Sequence, residues 1–157
     1  YEKGAEAGSA QAMCNLGWCY ETGNGVEQSW EQAVLWYRRS AEEGDARAMC
    51  NLGWCYESGN GVEQSWEEAF CWYRKGVEKG STRAMFQLAW CYEKGLGVER
   101  DPAQAADWYR RGVEAGSTTV LVFFDSDNER ITSRYWLNST TLFTSLMSMP
   151  TACRLLI

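Results

Sequence analysis

A repeat of 36 residues runs through most of this 157-residue chain. The segment 48–69 reads AMCNLGWCYESGNGVEQSWEEA, and the segment 12–33 differs from it only at Thr22 and Gln32. A third, looser copy occupies residues 84–105. A fixed period of this length is typical of a solenoid, in which each repeat buries its apolar face against its neighbours. The chain is therefore predicted to be an array of repeats.

Each copy carries the signals of two helices. In the central copy, Asp45 follows a glycine and is placed to cap the first helix, because its carboxylate can accept a backbone N–H. Gly59 and Gly61 then suit the left-handed cap and tight turn that end this helix. Ser65 begins the second helix, and Glu68 completes the pattern of a capping box by reaching back to the Ser65 N–H. Two helices in 36 residues leave no room for a strand, so the sequence predicts an all-α solenoid of helix-turn-helix repeats.

The repeat divides the chain into five segments. Residues 9–44, 45–80 and 81–116 are three complete repeats. Residues 1–8 align with the end of a second helix, which indicates that the chain begins inside an earlier repeat. Residues 117–157 are rich in Ser and Thr and lack a clear helical period. This tail is expected to be a cap on the last repeat, a disordered segment or foreign sequence, and these alternatives stay open.

The landmarks A-x-x-x-L-G-x-x-Y-x-x-G-x-G-V, followed by A-x-x-W-Y, resemble the Sel-one-like repeat (SLR), a relative of the tetratricopeptide repeat. The departures are mild: Ala89 stands where the other copies have Gly17 and Gly53, and Ser29 and Ser65 stand where Asp is usual. The resemblance implies a right-handed superhelix and a role as a scaffold or adaptor in protein complexes and signalling. It also implies that the first helix of each repeat lines the concave side.

The predicted binding surface is the concave side of the three first helices. Turning each helix by about 100° per residue places Trp18 opposite the packed Leu16. The surface comprises Gln11, Cys14, Trp18, Glu21, Arg47, Cys50, Trp54, Glu57, Arg83, Phe86, Trp90 and Glu93. Its arginines and glutamates predict a peptide or helix of mixed charge as the partner, with Trp54 as the central anchor. The alternative is that Trp18, Trp54 and Trp90 pack between neighbouring repeats.

The second helices carry aromatic pairs that are predicted to be core. At one position of every repeat a Trp is followed by a Tyr, on the face that also carries the small Ala33 and Ala41. The pairs are Trp36 with Tyr37, Trp72 with Tyr73, and Trp108 with Tyr109.

Composition narrows the class of partner. The net charge is −6 and no basic stripe is visible, which disfavours nucleic acid. No apolar run approaches the length of a membrane span. A protein or peptide partner is therefore expected, while the oligomeric state is left open.

Histidine is absent and no Gly-rich phosphate loop is present, so we predict no enzyme, catalytic residue, cofactor or metal site. One alternative is a regulatory part of a larger enzyme.

The seven cysteines are predicted to be structural free thiols. Cys14 and Cys19 lie five residues apart on one helix, about 140° around its axis, and cannot chelate one metal together. The resemblance implies that some SLR proteins join each repeat by a disulfide, but this chain would need Cys at the positions of Ala41 and Met49 to do the same, and neither position matches. Free thiols favour a reducing compartment such as the cytoplasm. A cysteine-dependent redox or metal-binding module is the other alternative function.

Overall fold

A computed structural model describes residues 1–116, and the predicted tail, 117–157, with its Cys153, lies outside the described residues. The described part contains seven helices and no strand, and it is one compact unit over Tyr1–Gly112. The helices are α1 (Glu2–Glu6), α2 (Ala10–Thr22), α3 (Trp30–Glu42), α4 (Ala46–Ser58), α5 (Trp66–Glu78), α6 (Thr82–Lys94) and α7 (Pro102–Glu114). The predicted all-α repeat array is confirmed. None of the helices within residues 1–116 has the length and apolar character that crossing a membrane requires.

The helix caps form where the sequence predicts them, with one correction. Asp45 Oδ1 accepts the backbone N–H of Ala48 at 3.1 Å, and Ser65 Oγ accepts that of Glu68 at 3.2 Å. The predicted return bond from the Glu68 side chain does not form, because the Ser65 N–H donates to the Tyr56 carbonyl at 3.0 Å. That backbone bond ties the start of α5 to the end of α4 and closes the turn between them.

The turn inside the second repeat, and likewise that inside the third, fits closely against the preceding repeat. Gly59 and Gly61 adopt φ values of 73° and 70°, in the left-handed region that favours glycine. A Cβ at Gly61 would lie 2.4 Å from the Trp30 carbonyl oxygen, at the start of α3. At Gly25 such a Cβ would meet no heavy atom of the described residues within 4 Å. Gly61 therefore serves both the turn and the packing of two repeats.

The core lies along the helix pairs. Tyr37, Tyr73 and Leu52 are fully buried, which confirms these tyrosines as core residues. The Tyr73 ring fills the space over Gly53, where a Cβ would lie 2.5 Å from a ring carbon. A small residue in the first helix thus admits a large ring from the second, and Gly17 does the same for Tyr37.

Trp36, Trp72 and Trp108 are half-buried and pack against the buried clusters, so their prediction as core holds for their inner faces only. The Lys75 ammonium lies 3.9 Å from the centroid of the Trp72 ring. The same pairing recurs between Arg39 and Trp36 and between Arg111 and Trp108. Each of these tryptophans lies at the edge of the packed face, and a basic side chain three residues further along the helix covers its outer surface.

Candidate partner-binding groove

The first helices of the three repeats line one groove of about 290 Å³, which we call the first-helix groove. Its lining comprises Cys14, Asn15 and Trp18 from α2, Arg47, Cys50 and Asn51 from α4, Ser81 at the N-cap of α6, and Arg83 from α6. Five of the predicted surface residues are among them. Asn15 and Asn51 were missed, although their spacing by one repeat was a signal available in the sequence.

Two buried thiols are part of the groove lining. The side chains of Cys14 and Cys50 are buried, and burial raises the pKa of each to about 11. Both thiols are therefore protonated at neutral pH and present a weakly polar surface. All six cysteines within residues 1–116 are free.

Two arginines flank the thiols. Arg47 pairs at 3.2 Å with Asp45, the residue that caps its own helix. The Arg83 guanidinium donates to Asn51 Oδ1 at 3.1 Å, and it forms no salt bridge with any carboxylate whose side chain the structure describes. The side-chain amide of Asn15 makes no hydrogen bond to any other described residue. The groove thus offers polar groups that residues 1–116 leave partly unused.

The predicted acidic side of this surface serves a structural purpose instead. The Tyr73 hydroxyl donates to Glu57 Oε2 at 2.6 Å, joining the two helices of the central repeat. Equivalent bonds join Tyr37 to Glu21 at 2.5 Å and Tyr109 to Glu93 at 3.0 Å. Burial, and then the hydrogen bond to the carboxylate, raise the pKa of Tyr37 and Tyr73 far above its ordinary value. These three glutamates do not line the groove, and the charged side chains in its lining are the two arginines.

The three tryptophans of the first helices have different surroundings. The ring centroid of Trp54 lies 5.5 Å from that of Trp30, and the same distance separates Trp90 from Trp66. Both contacts join a first helix to the second helix of the preceding repeat. Trp18 is 47% exposed and lies in the groove. Packing between neighbouring repeats therefore holds for Trp54 and Trp90, and the position that would supply the equivalent ring to Trp18 lies upstream of Tyr1.

The remaining two predicted residues lie outside the groove lining. Gln11 is exposed on α2, at the repeat position that Arg47 and Arg83 occupy in the next two repeats. The Phe86 ring lies 6.2 Å from the Tyr109 ring, and a Cβ at Gly112 would lie 2.9 Å from it. Phe86 therefore packs against α7.

The repeats identify the family of the chain. The model of the Sel1 repeat matches residues 10–45, 46–81 and 82–117. The chain belongs to the Sel1 repeat family. The resemblance to the Sel-one-like repeat is thereby confirmed, and Sel1 repeat proteins are generally protein-interaction scaffolds. The curated proteins compared with this chain include no match.

Solved structures of Sel1 repeat proteins share this fold. A Sel1 repeat protein from Oxalobacter formigenes is 39% identical, with a TM-score of 0.70, over 75% of this chain and 49% of its own. A protective antigen of uropathogenic Escherichia coli displaying an SLR fold is 37% identical, with a TM-score of 0.72, over 74% and 25%. Helicobacter pylori cysteine rich protein B, at 18% identity and a TM-score of 0.60 over 74% and 88%, shares the fold. The Sel1 chain thus spans about half of the first protein and a quarter of the second.

Proposed function

We propose that this Sel1 repeat chain is a non-catalytic scaffold that binds a peptide or helix of a partner protein in the first-helix groove. One observation carries the proposal: the first helices of three successive repeats together line a single groove, with Trp18 and two arginines among the lining residues. Trp and Arg supply much of the binding energy at recognition surfaces, and both residue types are in the groove lining.

The packing behind the groove supports this role. The Tyr73–Glu57 hydrogen bond holds the two helices of the central repeat together, and the Trp54–Trp30 contact holds that repeat against the one before it. A groove on such a supported surface is largely formed before a partner arrives, so binding does not have to order it. In this proposal the first helices are positioned by Trp54, Glu57 and the residues at the same repeat positions. Trp18 makes the aromatic contact with the partner.

The state of the groove thiols supports a non-catalytic role. The thiolate is the nucleophilic form of cysteine, and burial raises the pKa of Cys14 and Cys50 to about 11. At neutral pH these thiols are therefore poor nucleophiles. They contribute to the shape and the apolar character of the surface.

The proposal is tested by selecting binders to the full-length chain from a random peptide library and measuring their dissociation constants. Trp18→Ala is expected to raise the dissociation constant at least about tenfold, because it removes the exposed ring from the groove. Leu35→Ala is the matched control, since Leu35 is 41% exposed on α3 and does not line the groove. Equal effects of the two substitutions, or failure to enrich any peptide, would contradict the proposal.

A further inference from the structure

The first-helix groove of this acidic protein has two arginines in its lining. The chain carries a net charge of −6, yet Arg47 and Arg83 are the charged side chains that residues 1–116 contribute to the groove lining. The glutamates predicted for the opposite flank accept hydrogen bonds from buried tyrosines instead. A cleft lined by one sign of charge concentrates ligands of the opposite sign. Asp45 offsets Arg47, and Glu21 and Glu57 act on the groove thiols, so the group that favours an anionic partner is Arg83, which forms no salt bridge with a described side chain.

The polar atoms of the groove match a carboxylate in particular. Arg83 keeps most of its N–H donors after one bond to Asn51, whose Oδ1 is the accepting atom. The amide hydrogens of Asn51 and of Asn15 remain as further donors. A carboxylate accepts only, and the planar guanidinium can bind its two oxygens at once. Arg83 and Asn51 thus form the strongest candidate subsite for an Asp or Glu side chain.

The two arginines differ in how readily they can take up such a ligand. Arg47 already pairs with Asp45, so a carboxylate of the partner must compete with that group. Arg83 forms no salt bridge with any carboxylate whose side chain the structure describes. Because the arginines occupy the same position in successive repeats, a segment lying along the groove would meet one after the other. The segment would meet the Trp18 ring in α2, the helix of the first repeat.

We infer that the first-helix groove selects an acidic peptide segment of a partner protein, whose Asp or Glu carboxylate binds to Arg83 and Asn51. This inference rests on the proposed function, because it names the chemistry of the ligand that the same groove would take. It predicts that binding weakens as salt rises, since exposed charge pairs are screened.

The inference is tested on peptides enriched from a random library by the full-length chain. The enriched peptides are expected to be acidic, and replacing their Asp and Glu residues by Asn and Gln should weaken binding about tenfold. Arg83→Gln should weaken binding to a similar degree, and Arg83→Lys by less, because lysine keeps the charge without the bidentate geometry. Arg74→Gln removes the same charge from an exposed position on α5 outside the groove, and should change the dissociation constant less than twofold.

The outcomes separate this inference from the proposed function. Neutral or basic peptides that lose affinity with Trp18→Ala but not with Arg83→Gln would overturn the inference and leave the groove as the binding site. Peptides indifferent to both substitutions would overturn both. Thermal unfolding of each variant, compared with the parent, ensures that a loss of binding is not a loss of fold.

Discussion

Gly25 and Gly61 occupy the same place in successive turns and differ in what surrounds them. Both have a positive φ, but only Gly61 lies against the backbone of another repeat. Gly25→Ala should lower the free energy of unfolding by about 1–2 kcal/mol, the cost of a left-handed conformation for a residue with a Cβ. Gly61→Ala should lower it by about 3 kcal/mol or more, because its methyl group also displaces the start of α3.

Urea unfolding of the two alanine variants measures this difference directly. The strain from φ is common to both, so the excess loss in the Gly61 variant reports the packing of one repeat on the next. Equal losses would mean that in solution the central turn does not touch Trp30.

Residue-scale function was only partly predictable from the sequence. Trp30 and Trp66 stand 24 residues before Trp54 and Trp90, and this spacing was a signal for the two ring contacts that the angles around one helix do not contain. Glu57 was predicted to face a partner because its helical angle places it opposite Leu52. Its actual partner, the Tyr73 hydroxyl, is 16 residues away, and that contact depends on how two helices cross. Periodicity identifies the face of a helix, while the partner on that face depends on tertiary packing.

At the scale of one element, the N-cap of α5 provides a stability prediction. Ser65→Ala should lower the free energy of unfolding by about 1 kcal/mol, because the Glu68 N–H loses the Oγ that accepts it. Glu68→Ala is the matched control, since the Glu68 side chain makes no return bond to the Ser65 N–H. We expect that control to cost only a few tenths of a kcal/mol, from the lost carboxylate near a helix N-terminus.

Chemical denaturation of both variants distinguishes the single cap from the full capping box. Losses of similar size from Ser65→Ala and Glu68→Ala would show that the reciprocal bond exists in solution.

The elements themselves were the most predictable part of the protein. Asp45 and Ser65 cap helices, and Gly59 ends one, because each signal acts within a few residues of the backbone group it satisfies. The prediction of a capping box was half right for the same reason. The bond from the Glu68 N–H to Ser65 Oγ is local, whereas the Ser65 N–H donates to the carbonyl of Tyr56, nine residues earlier. The turn that brings these two residues together lies between two helices, and a pattern confined to one helix cannot reveal it.

At the scale of the whole molecule, each of the three repeats buries cysteine thiols or tyrosine hydroxyls whose pKa is raised. Burial raises the pKa of Cys55 and Cys91 to about 12, and that of Cys14 and Cys50 to about 11. The pKa values of Tyr37 and Tyr73 are raised further, first by burial and then by their hydrogen bonds to glutamates. These groups lie in all three repeats, so their titration bears on the array as a whole.

The stability of the array should therefore fall at alkaline pH. In the unfolded chain the thiols lose their protons near pH 8.5 and the tyrosines near pH 10, while the folded chain holds these protons to higher pH. Since the unfolded state then binds fewer protons, the free energy of unfolding decreases as pH rises above about 8.5. The slope approaches about 1.4 kcal/mol per pH unit for each group that is charged only in the unfolded state. Urea unfolding between pH 7 and about 10 measures it.

A pair of core substitutions separates titration from simple loss of packing. Cys55→Ala should make the free energy of unfolding fall less steeply with pH, by the contribution of one titrating group. The reason is that it removes a buried thiol that stays protonated in the folded state. Val34→Ala also truncates a buried side chain but removes no ionisable group, so it should lower stability equally at every pH. If the free energy of unfolding is constant from pH 7 to 10, or if both variants keep the parent slope, these thiols are not shielded from water in solution. The contacts between repeats would then be looser than the buried core requires.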